Sequence, residues 1–256
     1  MVHPLRACFR FYGPLNDHLP AERRQRDLER PFFAPGSVKD MIESFGVPHP
    51  EVELILANGT VAAFSYVVGD GDRIAVYPPF RAIEVSSNLR PPREGQPRFV
   101  LDVHLGRLAA YLRMIGFDTT YRNCFSDPEL VQVAQKKHRI VLSRDRGLLM
   151  HSAVTYGYLL RATDSHEQLE EVIGQFDLER YFRPFTRCVA CNGILAPVAK
   201  EHVRPLLTDR TLMCHNEFSR CCECGWVYWK GSHYRRMTQW IDEIQFVKKQ
   251  NQLHRL

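Results

Sequence analysis

Apolar positions along the chain change their period several times, and each change marks an element. Over residues 5–13 (LRACFRFYG) alternate positions are apolar and aromatic-rich, as in a half-buried strand. A charged stretch, AERRQRDLER, then leads to a second strand predicted around Pro31 to Ala34, so the two make an opening hairpin. From Ser37 the period lengthens: Val38, Met41, Ile42 and Phe45 share one helical face, with Ser37 at the cap position and Gly46 placed to stop the helix. Strand patterning returns in VELILANG, TVAAFSYVV and GDGDRIAVYPPF, divided by Asn-Gly and Gly-Asp-Gly turns. Hairpin, helix and strands in that order predict an α+β domain of the β-grasp type over residues 1–86.

The next stretch, SSNLRPPREGQP, is polar and Pro-rich without periodicity, and reads as a linker over 87–97. A second domain is predicted over 98–184. It opens on the strand FVLDV, and Leu105, Leu108, Ala109, Leu112 and Ile115 then recur at helical spacing. The strand FDTTY follows, then SDPELVQVAQKK, a helix capped by Ser126 or Asp127 with proline in its first turn. The strand RIVLS, the turn SRDRG, a strand in YGYLLRAT and the helix DSHEQLEEVIGQF complete the series. Strands alternating with helices imply an α/β domain, a mostly parallel sheet with helices on its faces.

In such a sheet, ligands gather beyond the C-terminal ends of the strands. Asp102 ends FVL, Asp145 follows IVLSR and Asp164 follows LLRAT, so three carboxylates can converge there. Carboxylates brought close together repel, and a hard divalent cation such as Mg²⁺ or Mn²⁺ relieves the repulsion. Such a cation supports phosphodiester or phosphomonoester hydrolysis. The alternative is structural, because aspartates after strands often cap helices and Asp164 precedes SHEQLEE. Asp127 and Glu129 carry the same ambiguity, since Ser126 and Glu129 have capping-box spacing. Arg113 and Arg144 are candidates to hold phosphate, or else to neutralise the acids or pair structurally.

Cysteine usage changes the picture for the C-terminal part. Six of the eight cysteines lie between Cys188 and Cys224, and two C-x-x-C turns, Cys188/Cys191 and Cys221/Cys224, each run into glycine. That spacing predicts two knuckles closing on one tetrahedral Zn²⁺, a closed and therefore structural site, in a zinc ribbon over 185–236. Cys214 and Cys222 are left over, with Cys222 an alternative to Cys221 as ligand. Past the second knuckle, WVYWKGSHYRRM interleaves aromatics with cations: Trp229, Lys230, His233 and Arg235 suit stacking on bases and contact with phosphate in single-stranded RNA. The structural alternative is that these aromatics pack the ribbon's small core. An amphipathic helix over 237–256 is expected to dock on the α/β domain.

Net charge of +5 permits a nucleic-acid partner without requiring one. No window approaches the roughly 18 apolar residues of a membrane span, the first residues lack a signal-peptide pattern, and the clustered thiols fit a reducing compartment. The expected location is cytoplasmic.

With these residues laid out, the stretch from about Arg98 to Met237 resembles the Mut-seven C-terminal ribonuclease family, a PIN-like domain joined to a zinc ribbon. The words that carry this are FVLDVHLGRLAAYLRMIGFD, SRDRGLL, the C-x-x-C pairs and YWKGSH. The resemblance implies a metal-dependent ribonuclease in which Asp102, Asp145 and Asp164 match the metal-binding acids and Asp127 or Glu129 supplies a fourth. Ser143 stands where the family usually has threonine before Arg-Asp and keeps the hydroxyl. RNA, with tRNA or other small RNA as substrate, is the implied partner; the rival reading is a non-catalytic RNA-binding adaptor using the ribbon and the β-grasp domain. The first 85 or so residues are similar to the ubiquitin-like, sulfur-carrier type of β-grasp domain, through VGDGDRIAVYPPF. Because the chain runs on through FRAIEVSS, the thiocarboxylate chemistry of a free Gly-Gly terminus is not expected.

Overall fold

The structure, a computed structural model, describes residues 3–80, 89–91, 95–232 and 234–242. His233, residues 87, 88 and 92–94 of the expected linker and the part of the expected C-terminal helix beyond residue 242 lie outside the described residues.

The N-terminal domain is a five-stranded sheet in the order β2-β1-β5-β3-β4, built from β1 (Leu5–Phe11), β2 (Leu28–Phe32), β3 (Leu54–Ala57), β4 (Thr60–Val61) and β5 (Arg73–Tyr77). Its central pair, β1 and β5, is parallel, and the flanking pairs are antiparallel. Helix α1 (Val38–Ser44) starts where expected, with Ser37 Oγ accepting from Asp40 N–H, and stops at Gly46, whose φ is +87°. Its buried face joins Phe9, Phe11, Ile55, Ile74 and Val76 in one core.

Two expectations are corrected here. The second strand runs over Leu28–Phe32, ahead of its predicted place, in register with β1 from Leu5 opposite Phe32 to Phe9 opposite Leu28. TVAAFSYVV yields only the two residues of β4, because beyond them the backbone turns toward α1: Phe64 O accepts from Lys39 N–H and Tyr66 O from Val38 N–H. Donors at a helix start have no partner within the helix, and this irregular segment supplies them.

The α/β region contains β6 (Phe99–Leu101), α2 (Gly106–Met114), β7 (Thr119–Thr120), α3 (Asp127–Lys137), β8 (Ile140–Ser143), α4 (Arg146–Leu149), β9 (Gly157–Leu159) and α5 (Ser165–Phe176). Its sheet is parallel, with β6 beside β7 and β8 beside β9, and helices flank it. The predicted turn SRDRG bends at Arg144 and runs directly into α4, with Asp145 at the cap. By compactness the chain forms two units, each discontinuous in sequence: Met1–Gly95 with Ser126–Leu159, and Gln96–Phe125 with Leu160–Leu256.

The second unit also holds the cysteine-rich part, a three-stranded antiparallel sheet of β10 (Leu195–Val198), β11 (Phe218–Cys221) and β12 (Val227–Trp229). The segment between the knuckles is partly helical, with α6 (Lys200–Val203) and α7 (Asp209–Cys214), the latter capped by Thr208. Val203, Leu212, Phe218 and Val227 form its small core. Residues 234–242 are helical, and Trp240 packs edge-on to Tyr111 of α2 and His166 of α5.

Candidate metal centre and active site

Both knuckles are turns that fold thiols inward. Cys188 N–H donates to Gly193 O, Asn192 takes a φ of +73°, and in the second knuckle Gly225 takes +74° with its N–H on Cys221 O. The Sγ atoms of Cys188, Cys191, Cys221 and Cys224 all lie within 4.8 Å of one another, with Cys188–Cys224 at 3.6 Å and Cys191–Cys221 at 3.4 Å. Tetrahedral Zn–S bonds of about 2.3 Å put sulfurs ~3.8 Å apart, so this set can hold a zinc ion with no position left open. Cys221, not Cys222, is the fourth member; Cys222 is exposed and outside the cluster.

The electrostatics fit a dication. Burial opposes ionisation of Cys188, yet the Tyr228 hydroxyl at 3.1 Å and the N–H groups of Cys191 and Ala190 outweigh it and bring the thiol down to about 7. Cys191 is pushed up to about 12, by burial first and then by the other thiols packed against it. One thiolate forms readily and the next resists, which is the condition a bound cation reverses.

Tyr228 is one of the interleaved aromatics of the sequence pattern, but its contact with a thiol was not foreseen, and Asn192, whose side chain donates to Asp118 Oδ1 and accepts from Thr119 N–H, was not singled out. An asparagine directly after C-x-x-C, at a position needing positive φ, was the available signal. Of the aromatics, Tyr228 points inward to the thiol, whereas Trp226 is 64% and Trp229 37% exposed. Lys230 is exposed and ion-paired with Glu217, and Arg235 is exposed.

Asp102 and Asp145 sit where a strand gives way to a helical turn, Asp164 sits at the start of α5 five positions past the end of β9, and each of the three caps the turn that follows. Asp102 Oδ1 accepts from Val103 N–H, Asp145 Oδ1 from Gly147 N–H, and Asp164 Oδ1 from His166 and Glu167 N–H. The last two bonds hold the Asp164 carboxyl below its ordinary range. For Asp145 and Asp164, capping by one oxygen leaves the carboxylate a second one, so the cap does not exclude a metal ligand. Asp102 and Asp164 belong to one compact unit and Asp145 to the other. Asp127 is exposed at the start of α3, and Glu129 closes the capping box, its Oε2 accepting from Ser126 N–H and Oγ–H.

The basic and hydroxyl candidates separate by burial. Arg113 is buried and donates to Thr119 O, Val189 O and Ala190 O, the contacts of its structural alternative. Ser143 is fully buried, and its Oγ accepts from Asp145 N–H, which supports the acid from behind. Arg144 is exposed beside Asp145.

Parallel sheet, flanking helices and a four-cysteine ribbon, behind a ubiquitin-like sheet, define the class of this chain. Its family is then given by similarity: the model of the Mut7-C RNAse domain matches residues 97–241, and that of Mut7-C ubiquitin matches residues 5–84. The first match spans more than half of the chain, which therefore belongs to the Mut7-C RNAse domain family. No curated protein matches the chain. Among the described residues no helix is long and apolar enough to cross a membrane.

Proposed function

We propose that the chain is a PIN-like ribonuclease, an endonuclease acting in the cytoplasm on tRNA or other small RNA. Asp102, Asp145 and Asp164 hold Mg²⁺ or Mn²⁺, with Asp127 or Glu129 as a fourth acid. The observation that supports this best is that all three aspartates stand at helix starts, Asp102 and Asp145 directly beyond strands of the parallel sheet. Asp145 and Asp164 are also exposed and, among the described residues, ion-paired with no Lys or Arg. Ionised oxygen donors of this kind suit a hard dication.

Such a cation supplies a water of lowered pKa and charge for the scissile phosphate. The chain's own contribution is placement: backbone N–H groups fix each carboxylate by one oxygen, and Ser143 fixes the backbone of Asp145. Trp229, Lys230 and Arg235, with His233, present the RNA from the ribbon, where zinc has a structural role.

The test is incubation of the purified protein with labelled total RNA and tRNA, with Mg²⁺ or Mn²⁺ and with chelator, beside Asp145→Asn. Cation-dependent fragments that disappear in the variant are expected. RNA that binds but stays intact in every lane gives the chain to the adaptor reading instead.

A further inference from the structure

The ubiquitin-type domain and segment Ser126–Leu159 form one compact unit, and the bonds joining them converge on the strand pair that leads to Asp145. In that pair Leu159 of β9 lies opposite Ser143 of β8. Leu159 N–H donates at 2.8 Å to Glu51 Oε1, while Glu51 Oε2 meets His18 Nε2 at 2.8 Å, with the two side chains only 5% and 1% exposed. Nearby, His49 Nε2 donates at 2.8 Å to Val154 O, and its Nδ1 faces Glu43 Oε1 at 2.6 Å.

Two glycines bring the surfaces to contact. A Cβ on Gly157 would lie 2.7 Å from Leu149 Cδ2 and 3.3 Å from Pro50 Cβ, so β9 meets Pro50 with bare backbone. A Cβ on Gly46 would lie 2.6 Å from Nη1 of Arg146, the residue after Asp145. A buried carboxylate is costly unless its oxygens are bonded, and Glu51 is bonded on both, one partner being the backbone of β9. A domain tethered as a mobile adaptor has no use for such a joint.

We propose that the ubiquitin-type domain is a fixed brace of the nuclease, in which Glu51 is a positioning residue that sets Asp145 through Leu159 and Ser143. The chain of contacts is continuous: Glu51 holds Leu159, Leu159 pairs opposite Ser143, and Ser143 Oγ holds Asp145 N–H. The inference rests on Asp145 being a metal-holding acid.

The experiment compares Glu51→Ala and Glu51→Gln in the full chain, reading kcat and KM on RNA and amide hydrogen exchange over residues 143–147. Glutamine keeps an acceptor for Leu159 N–H; alanine does not. The expected result for alanine is a fall in kcat of roughly ten- to a hundred-fold with KM little changed. Exchange over 143–147 quickens with it, and glutamine restores both. Wild-type kcat in a folded Glu51→Ala protein overturns the brace, even if exchange quickens.

Should Glu51→Ala not fold, Gly46→Ala is read against Gly59→Ala. Both glycines have φ near +85°, but only Gly46 has a neighbour, Arg146, within reach of the new methyl. Slower cleavage and faster exchange in Gly46→Ala alone support the brace; equal behaviour of the two variants overturns it. If the wild type cuts no RNA, the ribonuclease reading fails, while exchange over 143–147 still decides whether the domain braces this segment.

Discussion

Nη1 of Arg113 donates at 2.9 Å to both Val189 O and Ala190 O, the two residues between Cys188 and Cys191. A helix of the α/β region thus holds the first knuckle from beneath, and its Nε bond to Thr119 O ties β7 into the same joint. Replacement by leucine leaves three carbonyls without their charged donor. Arg113→Leu should lose about 2–4 kcal/mol in denaturant unfolding and release zinc at lower chelator concentration. Lysine should rescue only part of this, because one ammonium cannot reproduce the planar fork.

Zinc content separates the adjacent thiols. Cys221→Ser should lose the metal and Cys222→Ser should retain one equivalent, measured by colorimetric zinc release. Structural zinc binding is worth on the order of 10 kcal/mol in small domains, so the metal-free ribbon should also lose protection of β10 to β12 against proteolysis.

Asp164 can be tested as cap and as ligand separately. Asp164→Ser keeps a capping oxygen for His166 and Glu167 N–H and removes the charge; its stability should stay within about 0.5 kcal/mol of wild type while cation-dependent cleavage falls. Cleavage at the wild-type rate in this variant reduces Asp164 to a cap.

Acid sensitivity of the N-terminal domain should trace to Asp72. Burial works against its ionisation, but Gly69 N–H, Asn58 and the Tyr66 hydroxyl outweigh it and hold the carboxyl below its ordinary range. A group whose pKa is depressed by folding contributes stability that is present above the unfolded value, about 4, and is lost as pH falls through the folded one. Asp72→Asn should therefore be less stable than wild type at pH 7, with the gap closing below about pH 4. A gap that is constant across the melting series would assign the loss to shape and not to charge.

Exposure of Trp229 predicts an effect on binding without one on folding. Trp229→Ala should weaken single-stranded RNA by roughly 1–3 kcal/mol in fluorescence anisotropy, with an unchanged melting temperature. Equal affinity of the variant removes the ribbon from the RNA path.

Local chemistry made much of this fold legible. The Asn58-Gly59 hairpin, the Ser37 and Asp164 caps and the C-x-x-C spacing each depend on neighbours a few residues away. What escaped depends on distance along the chain: Arg113 meets residues 76 and 77 positions on, and Glu51 a strand 108 positions on. For the same reason TVAAFSYVV looked like a strand, since its alternation places Ala62 and Val68 in the core while its carbonyls serve α1. The acids were legible as positions after strands, and their second role as caps was visible in the residues that follow them.

Gly116 has a φ of +100°, and a Cβ there would lie 2.3 Å from Arg183 O. Around it, Arg183 N–H bonds to Ile115 O and Phe185 N–H to Met114 O, so the turn that enters the ribbon is stitched to the end of α2. The ribbon is therefore mounted like a cantilever and not hung from a hinge. On the proposed function, a pull by bound RNA on the exposed tryptophans of the ribbon passes as load into α2 through these two bonds.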